Sequence, residues 1–247
     1  MYRSVIILAL GFWFFVVPGN AHAADYYIDP DNGSDSYEGS AEMPWRSLQR
    51  LFDERMIESR KWDSLPYSSS SYLVPRNEGA VIQGGDIIYL RSGNYGELNI
   101  TGYYNEIPIS IAAEQGHVPV FRNIILRSSG NWKILGLSVN ASLFPENNFT
   151  TLISLESHGW SGPIEGVEVS HCKLASTDDS SNWNITDWNT KSKNGINAGG
   201  TDMKITNNSL LNVNFGISVG ASHSVIKNNL IENFAGDGLR GLGDYTT

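Results

Sequence analysis

The sequence predicts an all-β protein, a right-handed parallel β-helix (solenoid) with an N-terminal capping helix. Two segments near the end of the chain repeat each other. Gly195 and Gly216 are 21 positions apart, and Gly216 and Gly238 are 22 apart. Each repeat joins short β-type runs through a pair of asparagines, and Asn207 lies 21 positions before Asn228. A fixed period of this size is typical of solenoids, because one coil cannot bury its apolar face without stacking on the next.

The first 23 residues predict a secretory signal peptide that is removed after Ala23. Arg3 gives a positive start, an apolar run covers residues 5–17, and small residues at Ala21 and Ala23 form a cleavage site. An uncleaved membrane anchor is the alternative, but the run is short for a span of about 20 residues. We therefore expect a secreted protein, extracellular or periplasmic, with one β-helix domain over residues 24–247.

The net charge argues against two classes of partner, and the cysteine content excludes stabilisation by an internal disulfide. The formal net charge of -9 argues against nucleic acid and anionic membranes as partners. An acidic protein can still bind an acidic polymer through a local cationic patch or a bridging metal. Cys172 is the only cysteine, so no internal disulfide forms and stability must come from stacking.

The chain before the repeats predicts a cap followed by strands. Residues 26–30 form a short strand, and a helix begins at Pro44, where a missing N–H is harmless, and continues to Phe52. We assign this helix as the cap, because the open end of a solenoid must be covered. Residues 61–77 are interpreted as a surface insertion. Alternating or continuous apolar runs then predict strands at 85–91, 98–100, 107–111, 118–121, 124–126, 132–137 and 167–174.

The last of these runs aligns with the repeats without a gap. His171 and Cys172 occupy the positions of the later asparagine pair, and Cys172 lies 36 positions before Asn208. We therefore interpret both residues as structural. The extra length lies in one long loop over residues 177–193.

Three motifs carry a resemblance to a known family. They are Tyr-Ile-Asp-Pro-x-x-Gly-Ser-Asp at residues 27–35, Pro-Trp-Arg-Ser-Leu at 44–48 and Gly-Asp-Ile-Ile-Tyr-Leu-Arg-Ser-Gly-Asn-Tyr at 85–95. The chain resembles secreted parallel β-helix proteins of the pectate-lyase-like superfamily, which includes pectate, alginate and chondroitin lyases and uronan epimerases. The resemblance covers most of the mature chain. It is specific for fold rather than reaction, because the same opening precedes lyases, epimerases, hydrolases and proteins of unknown role.

The resemblance implies the place of each repeat element in the coil. The asparagine pairs mark the tight turn between the second and third strands, where stacked amides satisfy buried backbone groups. The first strands of successive coils, which floor the substrate groove in this superfamily, are then 195–199, 216–220 and 238–242. Strand alternation directs one column inward, composed of Ile196, Ile217 and Leu239. It turns a second column outward, composed of Asn197, Ser218 and Arg240.

Arg240 and the acidic residues on either side of it form the first candidate site. Elimination across C4–C5 of a uronate requires neutralisation of the substrate carboxylate, by a bidentate arginine or by Ca²⁺ held on aspartate oxygens. We predict Arg240 and Asp237 as catalytic residues, with Asp237 and Asp244 as ligands of a possible Ca²⁺. A Lys, Arg, Tyr or His must then remove the proton. The alternative is a surface ion pair of little energetic weight between Arg240 and Asp237.

The long loop over residues 177–193 forms the second candidate site. Indole rings offer flat apolar faces to pyranose rings, and long loops in compact proteins are usually functional or disordered. The predicted substrate-binding residues are Trp183, Trp188, Lys191 and Lys193 of this loop, together with Asn197 and Ser218. Packing of the two tryptophans against the rod is the alternative. A loop over residues 140–150, with Phe144, Glu146 and Phe149, is interpreted as the opposite rim.

Two functions of different class remain open at this stage. The first is a polysaccharide lyase that acts on acidic polysaccharide, with epimerase and hydrolase activities as variants. The second is a non-catalytic β-helix that binds glycan or serves as a structural module. Because the repeats run to the last residues without a cap, we expect the domain to be incomplete at its C-terminal end.

Overall fold

The computed structural model describes residues 23–144 and 148–241. The predicted signal peptide therefore lies outside the described residues, apart from Ala23. The strands are β1 (Asp25–Ile28), β2 (Ser59–Trp62), β3 (Leu73–Arg76), β4 (Ile87–Leu90), β5 (Gly93–Thr101), β6 (Tyr104–Ala113), β7 (Pro119–Arg127), β8 (Gly130–Leu135), β9 (Ser138–Asn140), β10 (Thr151–Glu156), β11 (Glu168–Ser170), β12 (Lys173–Ala175), β13 (Asn194–Ala198), β14 (Lys204–Thr206), β15 (Ser209–Val213), β16 (Ile217–Val219), β17 (Val225–Lys227), β18 (Leu230–Phe234) and β19 (Leu239–Gly241).

Helices are few and short in the described residues. They are α1 (Arg50–Asp53), a 3₁₀ turn (Ala141–Leu143) and α2 (Ile185–Lys191). Among these residues there is no helix whose length and apolar character would suffice to cross a membrane.

The strands stack into three parallel ladders, which confirms the predicted parallel β-helix. Ladder 1 contains β5, β7, β10, β13, β16 and β19. Ladder 2 contains β1, β4, β6, β8, β11, β14 and β17. Ladder 3 contains β7, β9, β12, β15 and β18, and the long strand β7 bends through the corner so that it belongs to two ladders. Each complete coil contributes one strand to each ladder.

The core consists of apolar columns that run along the rod. Ile196 pairs with Ile217, and Ile205 pairs with Ile226, as the period of 21 predicts. Ile196, Ile205 and Ile217 are buried, and burial of each such side chain contributes about 1.5–3 kcal/mol. The prediction that Leu239 is buried is wrong for the described residues, where it is 60% exposed. It pairs with Ile217 in the expected register, but no described coil stacks above it.

The predicted asparagine turn between ladders 2 and 3 is confirmed. Asn207 and Asn228 adopt the left-handed conformation, with φ of 58° and 57°, which asparagine tolerates better than most residues. The amide of Asn228 donates to Oδ1 of Asn207 (3.3 Å). His171 occupies the same position one coil earlier, also with φ of 58°.

The second position of the turn carries the buried hydrogen bonds. Oδ1 of Asn208 accepts from the N–H of Cys172 (2.9 Å), and its Nδ2 donates to the carbonyl of Val169 (3.0 Å) and to Oδ1 of Asn229 (3.0 Å). One amide thus joins three successive coils. Burial raises the pKa of the Cys172 thiol to about 12, which agrees with the structural role predicted for it.

The N-terminal cap is present but shorter than predicted. Only Arg50–Asp53 is helical, because Trp45 is held in extended backbone by a parallel bridge to Ile28. Phe52 covers the end of the core, with its ring centroid 5.2 Å from that of Tyr103 and 5.9 Å from that of Trp132.

The predicted surface insertion forms a β-hairpin. Strands β2 and β3 pair antiparallel, and Arg60 of β2 also pairs antiparallel with Tyr104 of β6. The indole of Trp62 donates to the hydroxyl of Tyr104 (2.9 Å), and that hydroxyl donates to the carbonyl of Pro163 (2.7 Å). The hairpin is therefore fixed to the ladder 2 side of the rod.

Replacement of Asn208 by Ala should destabilise the rod by about 2–4 kcal/mol, because it removes the partner of the buried N–H of Cys172 and the bonds to the carbonyl of Val169 and to Oδ1 of Asn229. Urea unfolding followed by circular dichroism measures the change. Asn189→Ala, at an exposed position of α2, is the matched control. Equal stability of the two variants would contradict a structural role for the amide.

Candidate functional site

The outward column of ladder 1 is the first element of the candidate site. Strand pairing aligns one outward residue from each coil, so these side chains share one face of the rod. This stripe consists of Asn99, Ile125, Ser154, Asn197, Ser218 and Arg240. Its last three members lie in line as predicted: Asn197 is exposed, Arg240 is half-buried and Ser218 is only 9% exposed. Their role in binding stays a prediction.

Arg240 contacts an aromatic ring rather than the predicted carboxylate. Its guanidinium carbon lies 4.8 Å from the ring centroid of Phe215, a residue in the turn of the preceding coil. Among the described residues there is no ion pair between Arg240 and Asp237, which is exposed. The guanidinium instead makes a cation–π contact with Phe215. The catalytic role of Arg240 and Asp237 stays a prediction.

The predicted Ca²⁺ ligands are only partly covered by the structure. Asp244 lies outside the described residues, whereas Asp237 precedes β19. Within ranges 23–144 and 148–241, no three His, Cys, Asp or Glu side chains are grouped so that they could hold a metal ion. Calcium therefore stays a prediction that rests on the sequence.

The long loop is a folded element, which we call the rim loop (residues 177–193). Helix α2 begins with a capping box, in which Oδ1 of Asn184 accepts from the N–H of Asp187 (3.1 Å) and Oδ2 of Asp187 accepts from the N–H of Asn184 (3.1 Å). Lys191 pairs with Asp187 one turn later (2.8 Å). Hydrogen bonds from the Lys191 side chain and the Asn184 backbone hold the pKa of Asp187 below its usual value.

The two tryptophans of the rim loop pack on each other at the surface. The rings of Trp183 and Trp188 meet edge to face, with centroids 5.0 Å apart and an interplanar angle of 83°. Both side chains are half-buried. Full burial of both tryptophans in the rod is therefore not observed, and their packing against the rod stays the alternative to a role in binding.

Hydrogen bonds fix the first residues of the rim loop to the rod. Nδ2 of Asn140 donates to Oδ1 of Asp178 (2.9 Å), and Asn212 donates to the carbonyl of Thr177 (2.8 Å). The loop thus leaves from ladder 3 and returns directly into β13 of ladder 1. This places it at the corner between these ladders; coverage of a groove stays a prediction.

Lys193 lies inside this corner rather than on the surface. Lys193 is only 5% exposed, and its ammonium lies 5.0 Å from the ring centroid of Phe149. Burial lowers its pKa below the ordinary value of 10.5. Contact between this ammonium and a polymer on the outer face would require the rim loop to move.

Sequence reasoning missed a set of charged residues on the early coils of ladder 1. A second outward column lies beside the stripe, two residues further along each strand. In this column, Arg127 donates to Oε2 of Glu156 through Nε (3.0 Å) and Nη2 (2.8 Å). On strand β5 of the same ladder, Glu97 accepts from Nη2 of Arg122 (3.2 Å) and from Nδ2 of Asn123 (3.0 Å), both on strand β7. These coils are 26 and 29 residues long, so the 21-residue period of the later coils does not predict which of their side chains meet.

A small cavity lies at the cap end of the stripe. It has a volume of about 240 Å³ and lies between the segment before α1 and strand β5. Arg46, Asn94 and Glu97 supply its polar lining, and Asn99 follows directly in the stripe. The outer face of ladder 1 therefore offers hydrogen-bonding groups from the cap to β19.

Comparison with known proteins gives no family. No protein-family model matches the chain, and no curated protein matches it. Among solved structures, a rhamnogalacturonan lyase is similar with a TM-score of 0.43 and 14% sequence identity over 91% of this chain. The chain spans 63% of the length of that protein. A likeness at this level carries no argument about activity.

Replacement of Lys193 by Met should remove part of the pH dependence of stability at alkaline pH, because it removes a group whose pKa differs between the folded and the unfolded state. The pKa of Lys193 is lower in the folded state, so the unfolded chain binds the extra proton between the two pKa values. Wild-type stability therefore rises with pH through a window that ends near 10.5. We expect the urea midpoint of the wild type to rise relative to that of Lys193→Met as the pH approaches the end of this window.

The matched control for this comparison is Lys173→Met, which removes an equal charge from an exposed position. A difference between the midpoints of the wild type and Lys193→Met that stays constant with pH would contradict the lowered pKa.

Proposed function

We propose that this chain is an extracellular carbohydrate-active protein that binds an acidic, uronate-containing polysaccharide along ladder 1 and cleaves it by β-elimination. The observation that carries the proposal is the stripe, in which polar side chains of successive coils align and end at Arg240. Epimerase or hydrolase activity would use the same face.

The spacing of the stripe suits an extended polymer. Neighbouring strands lie about 4.8 Å apart, so each coil presents its outward side chain at a regular interval. The exposed amide of Asn197 both donates and accepts hydrogen bonds, as sugar hydroxyls do, whereas the hydroxyl-bearing residues Ser154 and Ser218 are only 7% and 9% exposed and offer little accessible surface. A linear glycan laid along the rod would meet similar partners from coil to coil, and the rings of Trp183 and Trp188 would contact it from the corner.

Arg240 supplies the cation that the reaction needs. In β-elimination a base removes the C5 proton, the C4–C5 double bond forms and the C4–O bond breaks, with a proton added to the leaving oxygen. Neutralisation of the uronate carboxylate makes the C5 proton acidic enough, and a guanidinium does this through two parallel hydrogen bonds. The guanidinium carbon lies 4.8 Å from the ring centroid of Phe215, and a guanidinium over an aromatic face can still donate through the N–H groups at its edge. Ca²⁺ held by Asp237 and Asp244 is the alternative neutralising group.

One observation favours the second function, a non-catalytic glycan-binding module. From Asn99 to Ser218 the stripe contains no titratable side chain, so the stripe itself can bind a glycan over this length but holds no group that transfers a proton. The two functions therefore differ in whether a product forms, whereas they share the binding face.

Ultraviolet absorbance of the unsaturated uronate product separates the two functions. The mature protein is incubated with alginate, pectate and glycosaminoglycans, with and without Ca²⁺, and retention of the same polymers is measured by affinity electrophoresis. Absorbance that rises with one polymer supports the lyase. Retention without product supports the binding module, and neither signal with any polymer contradicts both.

Replacement of Arg240 by Ala should lower turnover by about two to three orders of magnitude, because it removes stabilisation of charge in the transition state. Arg240→Lys should recover only part of the activity, since an ammonium cannot form the bidentate contact. Initial rates of product absorbance give the measurement. Unchanged turnover in Arg240→Ala, with unchanged circular dichroism, would reduce Arg240 to a surface residue.

Replacement of Trp188 by Ala should weaken polymer retention about ten-fold or more while it changes turnover at saturating polymer much less, because the indole contacts bound sugar rather than the reacting atoms. Affinity electrophoresis and saturation kinetics measure the two effects. Trp160→Ala, at an exposed tryptophan outside the rim loop, is the matched control. Equal retention of the two variants would remove the rim loop from the binding face.

A further inference from the structure

The cavity of about 240 Å³ at the cap end of the stripe, which we call the cap cavity, is lined by residues from two contacts between the cap and β5. At one contact Gly93 packs against Pro30 so closely that an added Cβ would lie 2.4 Å from Cγ of that proline. At the other contact the N–H of Asn99 donates to Oε1 of Gln49 (3.5 Å). Because Asn99 is the first residue of the stripe, the cap cavity adjoins the outer face of ladder 1.

Arg46 gives the cap cavity a cation without a counter-ion. Its backbone N–H donates to Oδ1 of Asp35 (3.0 Å), and its Nε donates to the carbonyl of Gly33 (2.9 Å). Within ranges 23–144 and 148–241, the guanidinium makes no ion pair, and neither Nη1 nor Nη2 has a hydrogen-bond partner. The residue is exposed, so a ligand can approach the guanidinium. Its two terminal nitrogens match the two oxygens of a carboxylate.

The rest of the lining adds no free charge that would repel an anion. Glu97 is the one carboxylate in the described lining. Its Oε2 accepts from Nη2 of Arg122 (3.2 Å) and from Nδ2 of Asn123 (3.0 Å), so its charge is already paired. A cationic ligand would have to compete with Arg122 and would meet Arg46, whereas an anionic ligand gains the ion pair that Arg46 lacks. An uncharged ligand gains no ion pair.

A β-bulge shapes the wall that β5 contributes. The pairing of β5 with β7 shifts register on both sides of Gly96, which has φ of 68°. Such bulges are frequent next to functional sites, where they redirect side chains. Asn94 precedes the bulge, and its exposed amide has no partner among the described residues. The ring of Tyr95 is fixed by stacking on Phe121, with centroids 5.0 Å apart. An amide beside a fixed aromatic ring suits the hydroxyl and C–H groups of a sugar.

The cap cavity and Arg240 lie at opposite ends of the stripe. Five strand pairings separate β5 from β19, which at about 4.8 Å each gives about 24 Å. The stripe residues between these ends, from Asn99 to Ser218, carry no charge. A pyranose unit lengthens a linear polymer by about as much as one strand interval, so a chain of about six units would reach both cations.

We propose that the cap cavity is a subsite for one acidic sugar unit, in which the guanidinium of Arg46 pairs with the anionic group and Asn94 contacts the ring hydroxyls. The proposal rests on the proposed function, because it takes the bound polymer to be acidic and to lie along ladder 1. It adds a second point at which the charge of the polymer is bound, far from Arg240. A sulfate ester offers the same guanidinium two oxygens, so the test includes both kinds of anion.

Titration of the isotope-labelled mature protein, followed by nuclear magnetic resonance, tests the proposal. The probes are hexasaccharides of galacturonate and of mannuronate, the methyl ester of the first as its uncharged match, and a sulfated neutral hexasaccharide. At least one acidic probe should shift the backbone N–H signals of Ser47 and Asn94, and the acidic probe that binds best identifies the sugar class. Arg46→Gln should weaken its binding about ten-fold, because charged hydrogen bonds are lost, and should change binding of the methyl ester much less.

Two further variants separate pairing with Arg46 from loss of the fold and from net charge. Asn94→Asp adds a carboxylate at an exposed position of the lining, so it should weaken binding of the acidic probe while circular dichroism stays unchanged. Arg55→Gln is the matched control. It removes an equal charge from an exposed position after α1, outside the described lining, and should bind the probe as the wild type does.

The possible failures are distinguishable. Equal binding of an acidic probe by the wild type, Arg46→Gln and Asn94→Asp would overturn the subsite and leave the function of ladder 1 intact, as would binding that shifts only signals of the stripe. An equal loss of binding in Arg55→Gln would reduce the effect to net charge and would overturn the subsite too. If no acidic probe binds to the wild type, the subsite and the acidic polymer proposed for ladder 1 fail together.

Discussion

The register of one coil on the next is the constraint on which the rest of the structure depends. Side chains alternate along a strand, so a slip of one residue would exchange the core column with the outward column throughout a ladder. The amide of Asn208 opposes such a slip, because its bonds to Cys172, Val169 and Asn229 form only when three coils are aligned. The alignment of Asn197, Ser218 and Arg240 on the outer face is a consequence of this buried contact.

The part of the fold that repeats could be predicted from sequence, and the part that varies could not. In the coils that share a period of 21, the strands, the turn and the register could be predicted, because each residue type recurs at the same structural position. The earlier coils differ in length, so the pairing of Arg127 with Glu156 had no counterpart in the pattern. The position of the cap was predicted correctly, but the start of its helix was not. The bridge between Trp45 and Ile28 is a long-range contact that overrides the local helical pattern.

The candidate site shows the same division. Strand alternation predicted which residues face outward, but it could not predict what their long side chains touch. Arg240 packs over Phe215 because the turn of the preceding coil brings an aromatic ring beside it, and turn conformation is not contained in a strand pattern. Lys193 was expected at the surface as a charged loop residue. It is buried because it is the last residue before β13, where the chain has already returned to the rod beside Phe149.

The protein carries more negative than positive charge, so an acidic polymer would have to bind where the local charge departs from the average. Ladder 1 meets this condition, because its stripe is neutral and ends at a cation, while the carboxylates of Glu97 and Glu156 accept hydrogen bonds from arginines. Each ladder presents its own outer surface while the three ladders share one core. The register that aligns the core columns therefore also decides which charges lie side by side on the outer face of ladder 1.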